Sequence, residues 1–246
     1  MPFKIGFMNQ AEHSLKTFYT TKVSPCDYFP DRLEAKTAAD LNGAAAQAWA
    51  NVLSRAGFRR SHNLCYIPSC PICHACVSVR IRVQDFKTSK TMKKIIKRNG
   101  ATRLSVVPNV ATAEQYALFK AYLEKRHAGG EMEKMEFEEY RAMIEDSPIE
   151  TNLLELREQD KLIAVMLTDM LDDGVSAVYS FFDPAAEKRS LGTFMILELI
   201  RLTKEHRLPY VYLGYLIRGL SNMAYKERFK PLEYYCDGKW GTSFAD

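Results

Sequence analysis

The sequence lacks any run of about 18 uninterrupted apolar residues, which excludes a membrane-spanning helix on hydropathy alone. Met1 to Phe7 lacks the long apolar stretch of a secretory signal, so the expected compartment is the cytoplasm, with no membrane partner. There is no internal repeat, no low-complexity tract and no Gly/Ser- or Pro-rich linker, which argues against a solenoid and against two domains on a flexible tether. Acidic residues are absent from one stretch: between Lys87 and Arg103 there is no Asp or Glu, although the chain holds 30 of them. That stretch carries seven basic residues, and removing them from the net charge of +4 leaves −3 for the remainder. The basic charge is therefore one local surface on a mildly acidic protein, which points to a polyanionic partner there.

What is present is an ordinary globular composition, 246 residues with 47% hydrophobic and 26% charged, enough for a sizeable core. Thr37 to Ala56 is Ala-rich at helical spacing and Gly57 is placed to end it, predicting one helix. Val77 to Phe86 alternates Val77, Val79, Ile81 and Val83 with polar residues that include Arg80 and Arg82, the period of a half-buried strand. Ser89 to Asn99 reads as a capped helix stopped by Gly100. On it Lys90, Lys93, Lys94, Lys97 and Arg98 share one face, opposite Met92, Ile95 and Ile96. A Thr-x-x-Gln capping box opens a helix over Thr112 to Arg126, and Glu136 to Glu145 predicts another. Three strand-like runs follow, Leu153 to Arg157, Leu162 to Met170 and Val175 to Phe182. A buried helix over Leu191 to His206 and a strand at Tyr210 to Leu213 complete a β-β-β-α-β order of α+β class.

The sharpest local signal is Cys70-Pro-Ile-Cys73-His-Ala-Cys76, since two-residue spacings let thiolates converge on one metal. A fourth ligand is supplied by Cys26, the preferred choice, by His74 or by Cys65, and spacing alone does not separate zinc from an iron-sulfur cluster. The alternative is that these are small buried hydrophobes. Like charges on the basic helix repel one another, so contact with nucleic-acid phosphates explains Lys90 to Arg98 better than helix stability does. Arg189-Ser-Leu-Gly192-Thr-Phe194 partly matches the phosphate-cradling loop of GNAT acyltransferases, with Phe194 in place of the final small residue. Tyrosines are dense from Tyr210 to Tyr235, either as core or as stacking residues for a terminal adenosine.

Several segments together resemble the arginyl-tRNA and leucyl-tRNA protein transferases over nearly the full chain. The N-terminal ones are Ser24-Pro-Cys26-Asp-Tyr28-Phe-Pro30, Ala56-Gly-Phe-Arg-Arg60-Ser61, Tyr66-Ile-Pro68 and Cys70-x-x-Cys73-x-Ala-Cys76-x-x-x-Arg80. The C-terminal ones are Tyr179-Ser-Phe-Phe-Asp183-Pro184, Arg189-Ser-Leu-Gly192, Tyr212-Leu-Gly-Tyr215 and Tyr225-Lys-x-x-Phe229-Lys-Pro231. The resemblance implies a GNAT-like acyltransferase fold in residues 101–246, with a smaller cysteine-containing region and the basic helix in 1–100. It implies an aminoacyl-tRNA donor, an acceptor protein beginning with Asp or Glu, and a product marked for degradation. No cofactor is required for transfer. Related transferases carry a metal or iron-sulfur centre on N-terminal cysteines, which here correspond to Cys26, Cys70, Cys73 and Cys76. The compact length and the Cys26-x-Tyr-x-Pro pattern are similar to the bacterial leucyl subgroup, making leucine the first choice of donor and arginine the second.

The donor is an activated ester, and an α-amine of pKa roughly 7.7 to 8.0 is partly neutral near pH 7, so positioning and oxyanion stabilisation should outweigh a strong base. Tyr179, Asp183 or Tyr215 is expected to orient the amine, and backbone N–H groups near Gly192 to face the developing charge. An acidic acceptor side chain calls for a fixed arginine, with Arg59, Arg60 and Arg80 as candidates. Two rivals are an acetyl-CoA-dependent GNAT enzyme and a non-catalytic, metal-stapled RNA-binding module.

Overall fold

The computed structural model describes residues 16–126, 129–220 and 223–243. Met1 to Phe7 lies outside them. The first elements are short: β1 (Tyr19–Thr20), β2 (Ser24–Pro25), β3 (Leu33–Glu34), β4 (Lys36–Asp40), α1 (Ala46–Arg55), β5 (Arg59–Ser61) and β6 (Leu64–Pro68). β1, β4, β6 and β5 lie side by side in an antiparallel sheet, and β2 pairs only with β3. The single helix expected over Thr37 to Ala56 is corrected to β4 followed by α1. Ala38 and Ala39 are buried opposite Tyr66 and Cys65, and Gly43 turns the chain at φ +77° before the helix begins. Alanine's helix preference yields here to strand pairing.

The larger body contains β7 (Cys76–Arg82), α2 (Lys90–Arg98), β8 (Thr102–Pro108), α3 (Ala113–Arg126), α4 (Phe137–Glu145), β9 (Thr151–Glu158) and β10 (Lys161–Leu171). It continues with β11 (Gly174–Phe182), α5 (Leu191–Glu205), β12 (Tyr210–Ile217), β13 (Leu232–Cys236) and β14 (Lys239–Gly241). One mixed sheet runs β14-β13-β7-β12-β11-β10-β9-β8. The β-β-β-α-β order expected of a GNAT-like half is observed, with β9, β10 and β11 antiparallel and β12 parallel to β11. Residue 100 is not an edge of this sheet: β7, which precedes it, pairs with both β12 and β13.

The caps read from the sequence are in place. Ser89 accepts from the Met92 N–H at 3.2 Å, and Thr112 and Gln115 exchange side-chain bonds with each other's backbone at 3.0 and 3.2 Å. β10 is buried on both faces, as its uninterrupted apolar run from Leu162 to Leu167 requires. Ala164 and Met166 pack with α2 and α5, while Val165 and Leu167 pack with α3 and α4. β7 is not the half-solvated strand its alternation suggested. Its polar face is covered: Ser78 donates to Gly57 O, and the Arg80 guanidinium lies between the rings of Tyr210 and Trp240, at 3.6 and 4.3 Å.

Candidate active site

A groove forms where two neighbouring strands stop pairing. β11 and β12 are joined at three residue pairs only, Gly174 with Tyr210, Val175 with Val211 and Ser176 with Tyr212. Past this point β12 is bulged between Tyr212 and Tyr215, with Gly214 at φ +69°. Residues 177–180 of β11 and Leu213 of β12 then line a groove of about 630 Å3. Two cations from distant parts of the chain take up carbonyls along the parted strands. Arg59, opening β5, donates to Val178 O. Lys226, in a 3-10 turn (Ala224–Arg228), donates from Nζ to Leu213 O at 2.9 Å and to Tyr215 O. Gly214 admits the guanidinium, because a Cβ there would stand 2.5 Å from Arg59 Nη1.

The rest of the lining divides by chemistry. Met166, Leu191, Ile196 and Leu213 make an apolar floor, and Tyr122, Tyr179, Phe182 and Tyr225 add aromatic walls. The N-terminus of α5 closes one end. Ser190 turns the chain at φ +57°, and the first N–H bonded within the helix is that of Phe194, to Ser190 O at 3.0 Å. The N–H groups of Leu191, Gly192 and Thr193 therefore have no acceptor within the helix, and they stand at its positive end. Burial pushes the Tyr179, Tyr122 and Tyr225 hydroxyls above the ordinary tyrosine range. Burial, and then the Arg59 charge, brings the Lys226 amine down to about 7. Glu187 is the carboxylate in the lining, and Arg126 holds it at 2.9 Å.

The groove thus gathers Tyr179, Gly192 and Arg59 from the residues expected on sequence, and leaves the others outside. Asp183 caps the 3-10 turn Pro184–Arg189 by accepting from Ala185 N at 2.9 Å and ion-pairs with Lys161 at 2.7 Å, which holds its carboxyl below the usual range. Tyr215 donates to Tyr66 O at 2.7 Å, away from the groove. Arg60 is buried in a bidentate pair with Asp169 at 2.7 and 2.6 Å. Arg80 is committed to Glu233 at 2.7 Å. Lys226 was not legible as a site residue, since one lysine in a motif of the resemblance carries no signal of burial.

Sequence comparison gives the chain its family. The profile described as the N terminus of arginine-tRNA-protein transferase matches residues 24–94, and that described as the C terminus matches 114–236. The aspartate/glutamate leucyltransferase of Gluconacetobacter diazotrophicus is 50% identical over 224 residues, 91% of this chain and 86% of its own. The chain belongs to the arginine-tRNA-protein transferase family. The aspartate/glutamate leucyltransferase of Paramagnetospirillum magneticum is likewise 50% identical to the transferase, covering 91% of it and 92% of its own length. Among solved structures, L-PGS from Bacillus licheniformis superposes on 66% of the transferase and 61% of its own chain with a TM-score of 0.48, at 12% identity.

The transferase's cysteines stand apart from the groove. Cys26, Cys70, Cys73 and Cys76 line a separate cavity of about 150 Å3 with Tyr66 and Tyr215. Cys73 accepts from Arg32 Nη1 at 3.3 Å, Cys26 accepts from Tyr28 N at 3.4 Å, and the Cys70 thiol lies 3.8 Å from Ala35 O. The Ala75 backbone N–H, then Arg32, draws the Cys73 thiol down, while burial pushes Cys76 up to about 12. Among the described residues no three His, Cys, Asp or Glu side chains are placed to hold a metal ion. No step of the reaction is routed through a metal centre on these thiols. Cys65 is buried in the core beneath α1, and His74 is exposed.

The basic helix of the transferase is α2, and Lys90, Lys93, Lys94, Lys97 and Arg98 are all exposed. Its C-terminal end is tied to the groove's rim. Arg98 donates to Lys188 O, Asn99 donates to Arg189 O at 3.0 Å, and Arg189 returns a bond to Asn99 Oδ1 at 3.0 Å. The next residue, Ser190, lines the groove. No helix among the described residues is long and apolar enough to cross a membrane.

Proposed function

We propose that the transferase moves leucine from leucyl-tRNA to the N-terminal Asp or Glu of acceptor proteins, in the cytoplasm, and that the groove between β11 and β12 is where ester and amine meet. The observation that carries this reading is the pairing of an apolar floor with a guanidinium that has no carboxylate partner among the described residues. Met166, Ile196 and Leu213 suit a leucyl side chain. Arg59 suits the acceptor's carboxylate, which it can meet with two parallel N–H bonds. The acceptor's α-amine attacks the ester carbonyl, and the N–H groups of Leu191, Gly192 and Thr193 are placed to receive the oxyanion. Tyr179 lies on the wall where it can orient the amine.

The exposed face of α2, tied to the groove through Lys188 and Arg189, supports a role in holding the tRNA backbone. Exchanging Lys90, Lys93, Lys94 and Lys97 for Gln is expected to weaken tRNA binding while transfer at saturating tRNA stays at the wild-type rate. Each lysine that pairs with a phosphate should, once replaced, lower the salt slope by about 1. Fluorescence anisotropy across a salt series measures both.

The donor and acceptor are tested by offering radiolabelled leucyl-tRNA and arginyl-tRNA with peptides beginning in Asp, Glu or Ala. The reading expects label from leucine only, and far faster on the Asp and Glu peptides than on the Ala peptide. Arginine transfer would replace the donor, and transfer to the Ala peptide at the Asp and Glu rates would remove Arg59 from acceptor choice.

A further inference from the structure

Proton traffic in the groove has one outlet that the roles assigned so far leave open. When the acceptor's nitrogen bonds to the ester carbon it must shed a proton, and the departing ribose oxygen must gain one. The groups lining the groove leave few takers. Glu187 is bound to Arg126, and Asp183, off the groove, is bound to Lys161. Burial makes the hydroxyls of Tyr122, Tyr179 and Tyr225 reluctant to ionise. Arg59, a guanidinium with N–H donors and no acceptor, offers no base.

We propose that the Lys226 amine is the general base of the transfer, accepting the proton from the acceptor's nitrogen and passing it to the departing ribose oxygen. The geometry leaves one position on the nitrogen open towards the groove. An uncharged –NH2 has two N–H donors and one lone pair, and Nζ has two carbonyl acceptors, Leu213 O and Tyr215 O. With both donors engaged on β12, the remaining position is the lone pair, on a side chain that lines the groove. The residue is only 5% exposed, and among the described residues no carboxylate pairs with it to hold it charged. Of the charged groups in the groove's lining, Arg126 and Glu187 pair with each other, which leaves Arg59 from β5 as the charge acting on Nζ, and it favours the free base. Burial and the Arg59 charge bring its proton affinity to about 7, where a base serves best near neutrality.

The balance closes without a co-reactant. A C–N bond forms, the ester C–O bond breaks, and one proton crosses from nitrogen through Nζ to oxygen. This inference rests on the groove as the transfer site, but their failures separate. Leucine transfer by the wild-type enzyme tests the site, whereas the variants below test Lys226 alone.

Lys226→Ala and Lys226→Met are compared with wild type in single turnover, with leucyl-tRNA prebound and an Asp-starting peptide in excess. Loss of a general base is expected to slow transfer by about 10²- to 10⁴-fold. The tRNA affinity should be kept, and small primary amines should restore Lys226→Ala in order of their basicity. A merely structural lysine would show no such ordered rescue. Folded variants within fivefold of wild type, or slow ones that amines do not restore, overturn the proposal. Should neither variant fold, the wild-type rate is followed against pH with two peptides of different α-amine basicity. A limb near pH 7 common to both is expected, and a limb that moves with the peptide's own amine overturns it.

Discussion

Arg59→Met should lower kcat/KM for Asp- and Glu-starting peptides by about 10²- to 10³-fold, the cost of leaving one partner of a desolvated charge pair alone. Transfer to an Ala-starting peptide, slow in the wild type, should change little, because that acceptor offers no carboxylate. Arg59→Lys should recover only a fraction, since an ammonium can neither span two oxygens nor reach Val178 O in the same plane. Steady-state kinetics on the three peptides decide this. Gly214 strengthens the argument, since the left-handed backbone and the absence of a Cβ at that position make room for the guanidinium. Equal losses on all three peptides would mean that Arg59 supports the splayed strands rather than reading the acceptor.

Asp169→Ala should destabilise the fold by about 3–5 kcal/mol, with a fall in Tm of roughly 10 °C, without altering the groove. Asp169 and Arg60 have side chains 3% and 5% exposed, so removing the carboxylate strands a buried guanidinium and also takes the acceptor from Thr151 Oγ1. Replacing both partners, Arg60→Met with Asp169→Leu, should recover much of the loss, because no charge is then left unpaired. Thermal melts of the single and double variants measure this. Well below its melting temperature, Arg60→Met should transfer leucine at nearly the wild-type rate. That result would separate Arg60 from its neighbour in sequence, Arg59, as a structural rather than a binding arginine.

These two neighbours show where sequence reading stops. Arg59 and Arg60 are indistinguishable in a chain of letters, and what separates them is a carboxylate 109 residues away. Arg80 likewise is fixed by Glu233, 153 residues on, so its apparent availability on the polar face of a strand was an artefact of local period. Local signals did carry through. The charge period of Lys90 to Arg98, the Ser89 cap and the Thr112/Gln115 box all depend on residues three or four apart, and each is found as expected. β8 went unread because, as an edge strand paired only with β9, it lacks a clean alternation. Lys226 was hidden for a different reason. Its burial is produced by β12 bulging around Gly214 and by Arg59 arriving from the other end of the chain, neither of which leaves a trace in the motif that contains it.

The spacing of Cys70, Cys73 and Cys76 likewise predicts convergence but not orientation. The structure brings all three, with Cys26, to one cavity, while Arg32 and the backbone engage their sulfurs one by one. Proximity was legible in the spacing; the partners of each sulfur were not.

The most direct test of the groove is to charge tRNA with a photoreactive leucine analogue, irradiate its complex with the enzyme, and map the attachment by mass spectrometry. The account predicts attachment within the apolar floor, at Met166, Ile196 or Leu213, and its loss when excess unmodified leucyl-tRNA competes. Attachment confined to the cysteine cavity or to α2, with the floor unlabelled, would contradict it.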